Sequence, residues 1–101
     1  MTASGQDILI GIDAGTSVVK SVAFTLDGLQ IAVASTPNRY VTGANGAAYQ
    51  SQDDIWADCA KTLQSLTNKV PRLAKRTAAI SVTGQGDGTW LVGAGNRPVT
   101  D

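Results

Sequence analysis

The stretch GIDAGTSVVK, residues 11–20, sets the carboxylate of Asp13 just before Gly15, the hydroxyls of Thr16 and Ser17 and, three residues on, the ammonium of Lys20. Such a set can hold a phosphate. Successive backbone N–H groups of Gly15, Thr16 and Ser17 would face one concavity, the hydroxyls would add donors, and Lys20 would supply positive charge. Asp13 would then face a magnesium ion, directly or through its waters, because carboxylates suit that hard cation. The same residues also read as an ordinary tight hairpin, in which Asp13 accepts nearby amide hydrogen bonds and Gly15 takes a positive φ. An aspartic-protease signature is excluded because Ala14 stands where it needs Thr or Ser. A Walker A loop is excluded too: its Gly-Lys-Thr is absent, and β-forming residues follow where it needs a helix.

A second stretch, VTGQGDGTW at residues 82–90, alternates Gly84, Gly86 and Gly88 with Gln85 and Asp87 just past an apolar run. A permissive backbone with two projecting polar side chains suits a binding loop at the end of a strand. The alternative is a glycine-rich turn with solvated side chains. Trp90 is either a core aromatic or a residue at the mouth of that crevice.

The elements that must position these residues follow from periodicity. DILIGID (7–13) reads as a mostly buried strand. A second strand spans 18–26, with Lys20, Val22, Phe24 and Leu26 on one face. Asp27-Gly28 separates it from a third strand at 29–36, in which Leu29, Ile31 and Val33 alternate, so residues 7–36 form a three-stranded antiparallel meander. Residues 37–50, rich in Gly, Asn and Pro, read as a surface loop. Ser51 with Asp54 caps a helix whose Ile55, Cys59, Thr62 or Leu63, Leu66 and Val70 recur at helical spacing until Pro71. TAAISVTG (77–84) follows as a fourth, buried strand, and residues 89–99 as a short strand or hairpin arm. The fold class is α/β: a mixed sheet with an antiparallel meander and a crossover helix.

Composition narrows the function classes. Eight basic and eight acidic residues cancel and are scattered, which argues against nucleic-acid or membrane surfaces, both of which need clustered cations. There is no histidine and Cys59 is alone, so neither a disulfide framework nor a Cys/His metal site is available, and the lone thiol suits a reducing cytoplasm. No signal-peptide pattern or membrane-length apolar run occurs.

Taken together, GIDAGTSVVKSVAFTLDG, AAYQSQDDIWADC and ISVTGQGDGTWLV resemble, in order and spacing, the N-terminal portion of the FGGY carbohydrate kinases, within the ribonuclease H-like (actin-like ATPase) fold, and more closely the branch that phosphorylates erythritol. The first motif is shared with chaperone-like and cytoskeletal ATPases of that superfamily; the GQGDG loop makes the sugar-kinase reading more specific. The resemblance implies ATP and Mg²⁺ as cofactors. It implies that Asp13 helps place magnesium, that Gly15, Thr16, Ser17 and Lys20 face the nucleotide phosphates, and that Gln85, Asp87 and Trp90 contact a small sugar or polyol. Ketose kinases of the family tend to carry Met-His at Gly86 and Asp87, and glycerol kinases Arg-Glu, so the acidic residue at 87 leans toward a polyol. It further implies a homodimeric complete protein. Residues 1–101 then form the N-terminal portion of the first kinase domain, with the catalytic base and the whole second domain expected beyond residue 101. Such a chain should not by itself transfer phosphate, which needs clamp, metal and base together. Three other readings stand beside it: a chaperone-like or cytoskeletal ATPase of the same superfamily, which would have no need of the GQGDG loop; a ketose kinase of the xylulose or ribulose type; and a noncatalytic small binding domain, closed and without an open apolar face.

Overall fold

A computed structural model describes residues 5–86 and 89–99 of the chain. Strands β1 (Ile8–Ala14), β2 (Val18–Thr25) and β3 (Gln30–Pro37) form the expected antiparallel meander. Its second turn falls at Asp27-Gly28, where the Gly28 N–H donates to the Thr25 carbonyl and Gly28 takes φ +92°, a conformation open to glycine. The Thr25 hydroxyl, donating to the Asp27 carboxylate, holds that carboxyl below its ordinary range.

Residues 37–50 are more ordered than a surface loop. Strands β4 (Tyr40–Thr42) and β5 (Ala48–Gln50) pair as a small antiparallel hairpin, with a 3-10 turn at Ala44–Gly46. Three-residue strands are too short to show a period of two, so their sequence reads as loop. Helix α1 (Gln52–Lys69) opens as predicted: the Ser51 Oγ accepts the Asp54 N–H at 3.2 Å. A single turn, α2 (Leu73–Arg76), then feeds β6 (Thr77–Gly84). β6 runs parallel to β1, giving a mixed sheet in the order β3-β2-β1-β6.

Helix α1 covers one sheet face. Ile8, Ile10 and Ile12 of β1, Val19, Ser21 and Ala23 of β2 and Ala34 of β3 are buried there, with Leu66, Val70 and Leu73 above them. Lys20, Val22 and Phe24 share the opposite face of β2 as its alternation requires, but Leu26 and Leu29 lie outside the strands and are exposed. β6 departs from expectation more sharply. Read as a buried strand, it is exposed along most of its length, with Ile80 at 53% and Val82 at 65% of full accessibility. The cause is position: β6 is an edge strand, and α1 packs over β2 and β3 instead.

Across the core interface the Ser21 Oγ and Thr62 Oγ1 lie 2.8 Å apart, and the Thr62 hydroxyl donates to the Cys59 carbonyl at 2.8 Å. Thr62 has one proton to give, so Ser21 is the donor in their pair. Residues 89–99 form a small loop closed by a bridge between Val92 and Pro98, with the Gly93 N–H on the Arg97 carbonyl at 2.7 Å.

Candidate functional site

The parallel pairing of β1 and β6 sets Asp13 beside Thr83 and Ala14 beside Gly84, so both strands end at the same edge of the sheet. The two glycine-containing stretches therefore leave from adjacent carboxyl ends, the position where open α/β sheets bind ligands. A cleft of about 330 Å³ lies there, lined by Thr16 from the first stretch, Gln85, Thr89 and Trp90 from the second, and Tyr40, Tyr49 and Gln50 from the β4–β5 hairpin. Thus Thr16 and, far from it in sequence, Gln85 and Trp90 line one cavity. Trp90 is a half-exposed residue of its mouth and no core aromatic. Asp87 and Gly88 lie outside the described residues. At Gly86 an added Cβ would meet nothing within 4 Å among the described residues.

Asp13 and Lys20 sit opposite one another across β1 and β2. They line a neighbouring groove of about 350 Å³ on the sheet face away from α1, together with Ser81 and Thr83. The structure brings Thr16 to Gln85 and Trp90 and leaves Asp13 and Lys20 in the neighbouring groove, around the same strand ends.

The turn between β1 and β2 is tightly built. The Gly15 N–H donates to the Val18 carbonyl at 3.0 Å, so it closes the turn and does not face the concavity with its neighbours. Gly15 also does not take the positive φ of the simple-hairpin reading. Glycine is needed there for clearance: a Cβ would lie 2.9 Å from the Val18 carbonyl oxygen and 3.4 Å from Asp13 Oδ1. What remains for an anion is the exposed pair Thr16 and Ser17 with their hydroxyls, and the exposed Lys20.

Several residues at the site escaped sequence reasoning. Gln50, at the end of β5, accepts from Gln85 Nε2 on its Oε1 at 2.8 Å, tying the loop after β6 to the β4–β5 hairpin. Arg39, between β3 and β4, grips Asp58 of α1 with Nε and Nη2, both at 3.1 Å, and lies 3.4 Å from Asp54. The bond to Asp58 raises the Arg39 pKa above its ordinary value. Asp58 is buried on the helix stripe between Ile55 and Thr62, and an acidic residue at that phase was the signal that a cation must come from elsewhere. Burial, with Asp58 next to it, pushes the Cys59 thiol up, away from the reactive thiolate.

Among the described residues no group of three metal-ligating side chains occurs. A lone carboxylate such as Asp13 fits magnesium carried in on phosphate oxygens and water, and does not fit a protein-built metal cage. Nor is any described helix long and apolar enough to cross a membrane.

Residues 8–101 match the N-terminal domain of the FGGY family of carbohydrate kinases. The chain belongs to that family. A protein named erythritol kinase from Brucella abortus (strain 2308) is 63% identical over 95 residues, which cover 94% of this chain and 18% of that protein. Among solved structures, a ligand-bound xylulose kinase from Lactobacillus acidophilus superposes with a TM-score of 0.81 at 25% identity, over 92% of this chain and 18% of that one. A xylulose kinase from Rhodospirillum rubrum gives 0.84 at 24% identity over 91% and 19%. The fold is thus the actin-like ATPase fold of the FGGY kinases, and the chain spans about a fifth of the length of these relatives. Family membership sets aside the chaperone-like and cytoskeletal reading. The closed binding domain fails its own criterion, because Ile80, Val82 and Trp56 are open to solvent.

Proposed function

We propose that this FGGY chain is the N-terminal portion of the first domain of an ATP-dependent polyol kinase whose substrate is erythritol, phosphorylated on one hydroxyl. The observation that supports it is the shared cleft, in which Thr16 of the phosphate turn faces the same cavity as Gln50, Gln85 and Trp90. A phosphoryl donor and an acceptor hydroxyl must meet in one place, and positioning is most of what the protein contributes to this reaction. ATP supplies the transferred group. Asp13 would hold its magnesium, with Gly15 giving the backbone room while Thr16, Ser17 and Lys20 take the phosphates; Gln85, Asp87 and Trp90 would take the polyol. A cytoplasmic location and a homodimeric full-length protein belong to the proposal on family resemblance.

Erythritol is favoured over a ketopentose by the 63% identity to the protein of that name and by Asp87, whose carboxylate can accept from two neighbouring hydroxyls at once. A panel assay of the full-length protein tests this: a short linear polyol should outperform xylulose and ribulose. Asp87→Asn keeps the shape and removes the charge, so it should lower kcat/KM for the polyol roughly 10-fold or more while ATP affinity stays nearly unchanged. A ketopentose as best substrate, or unchanged polyol kinetics in Asp87→Asn, would overturn the substrate assignment.

A further inference from the structure

Asn38, in the two-residue connector between β3 and β4, makes two hydrogen bonds to the phosphate turn. Its backbone N–H donates to the Ser17 carbonyl at 2.9 Å, and its side-chain Nδ2 donates to the Gly15 carbonyl at 2.6 Å. One residue therefore holds the carbonyls at both ends of the three-residue turn. The consequence for the turn's donors is geometric. The Gly15 carbonyl and the Thr16 N–H belong to the same trans peptide plane and point in opposite directions. Pinning that carbonyl on Asn38 turns the Thr16 N–H away from Asn38, on the residue that lines the candidate cleft. The Gly15 N–H is already spent on Val18, so the Thr16 amide is the turn donor whose direction Asn38 sets.

The connector itself is anchored. Arg39, the next residue, is clamped to Asp58 and Asp54 of α1, so Asn38 stands between a helix in the core and the turn. The amide orientation is also fixed, since a flip would set Oδ1 against the Gly15 carbonyl, acceptor to acceptor. In the orientation observed, Oδ1 is buried without a hydrogen-bond partner among the described residues. Such orphaned acceptors are uncommon, and here the fold retains one at the site where the opposite end of the amide grips the turn.

We propose that Asn38 is a positioning residue for phosphoryl transfer, orienting the Thr16 amide toward the nucleotide phosphates without touching the nucleotide itself. The inference rests on the kinase reading above. Its test uses the full-length protein and the near-isosteric Asn38→Asp, which replaces the donor with a carboxylate facing the Gly15 carbonyl. Asn38→Ala serves as the second variant; it removes the side-chain bond and keeps the backbone bond to Ser17. Both should lower kcat/KM for ATP by about 10-fold or more, with KM for the polyol within about twofold of wild type. A protonated carboxyl can donate again, so the activity of Asn38→Asp relative to wild type should rise as pH falls toward the carboxylate range, whereas Asn38→Ala should show no such recovery. Unimpaired ATP kinetics in both variants, equal losses in the ATP and polyol constants, or a flat pH ratio for Asn38→Asp would overturn the proposal while leaving the kinase reading intact. A wild-type protein that phosphorylates no polyol or sugar would overturn both.

Discussion

At the scale of single residues, Asp13 stands near the carboxyl end of β1, directly before the β1–β2 turn. It lies half-buried in a groove with Lys20 and the hydroxyls of Ser81 and Thr83. If it holds magnesium on the phosphates, its loss falls on charge that develops in the transition state, not on polyol binding. Asp13→Ala in the full-length protein should therefore lower kcat by on the order of 100-fold or more at saturating magnesium-ATP, with polyol KM little changed. Steady-state kinetics with each substrate varied in turn checks this, and unchanged turnover would return Asp13 to the role of a turn residue. Residue type made Asp13 legible. It did not reveal that the Gly15 amide is consumed inside the turn, because that depends on the Val18 carbonyl folding back to 3.0 Å.

At the scale of elements, α1 is held to the sheet by packing and by one buried polar relay from Ser21 through Thr62 to the Cys59 carbonyl. Removing the middle of that relay strands a buried hydroxyl, at a cost of about 1–3 kcal/mol, whereas removing both side-chain hydroxyls strands neither. Thr62→Val should thus lower the denaturation midpoint of the full-length protein, and adding Ser21→Ala should cost less than the two single losses summed. Strict additivity in a double-mutant cycle would show that the two hydroxyls are uncoupled. The helix itself was plain in the sequence from its Ser51 cap and its apolar spacing, and the pairing of Asp58 with Arg39 was not. Nineteen positions separate the partners, and nothing local links a connector arginine to a helix carboxylate.

At the scale of the whole molecule, apolar side chains remain uncovered along β6 and around the cleft edge: Ile80, Val82, Trp56 and Leu91 all stand open. Trp56 reaches 78% of full accessibility, and a groove of about 310 Å³ beside it, also lined by Ile55, Val82 and Trp90, is mostly apolar. Contiguous exposed surface of this kind associates or takes up apolar probes. Produced by itself, the 101-residue chain should bind a hydrophobic reporter dye strongly while retaining the circular dichroism of its helix and sheet. In the full-length protein the same dye should gain little fluorescence per molecule. Equal signals from the two would mean that the rest of the protein leaves these residues open.

The sequence by itself determined the local grammar: the meander, its Asp-Gly turn, the capped helix and the two glycine-containing stretches. Each is written in neighbours a few residues apart, as alternation, helical spacing or a turn that demands glycine. It also carried the family, because the order and spacing of three motifs survive without any knowledge of contacts. Tertiary structure alone decided that Thr16, Gln85 and Trp90 line one cleft, that Gln50 grips Gln85, that Asn38 holds the β1–β2 turn, and that β6 is an open edge. The physical reason is the same throughout. Pairing β1 in parallel with β6 requires a crossover of more than sixty residues, and what such a crossover brings together, or leaves uncovered, is set by long-range register and packing, which no short window of sequence contains.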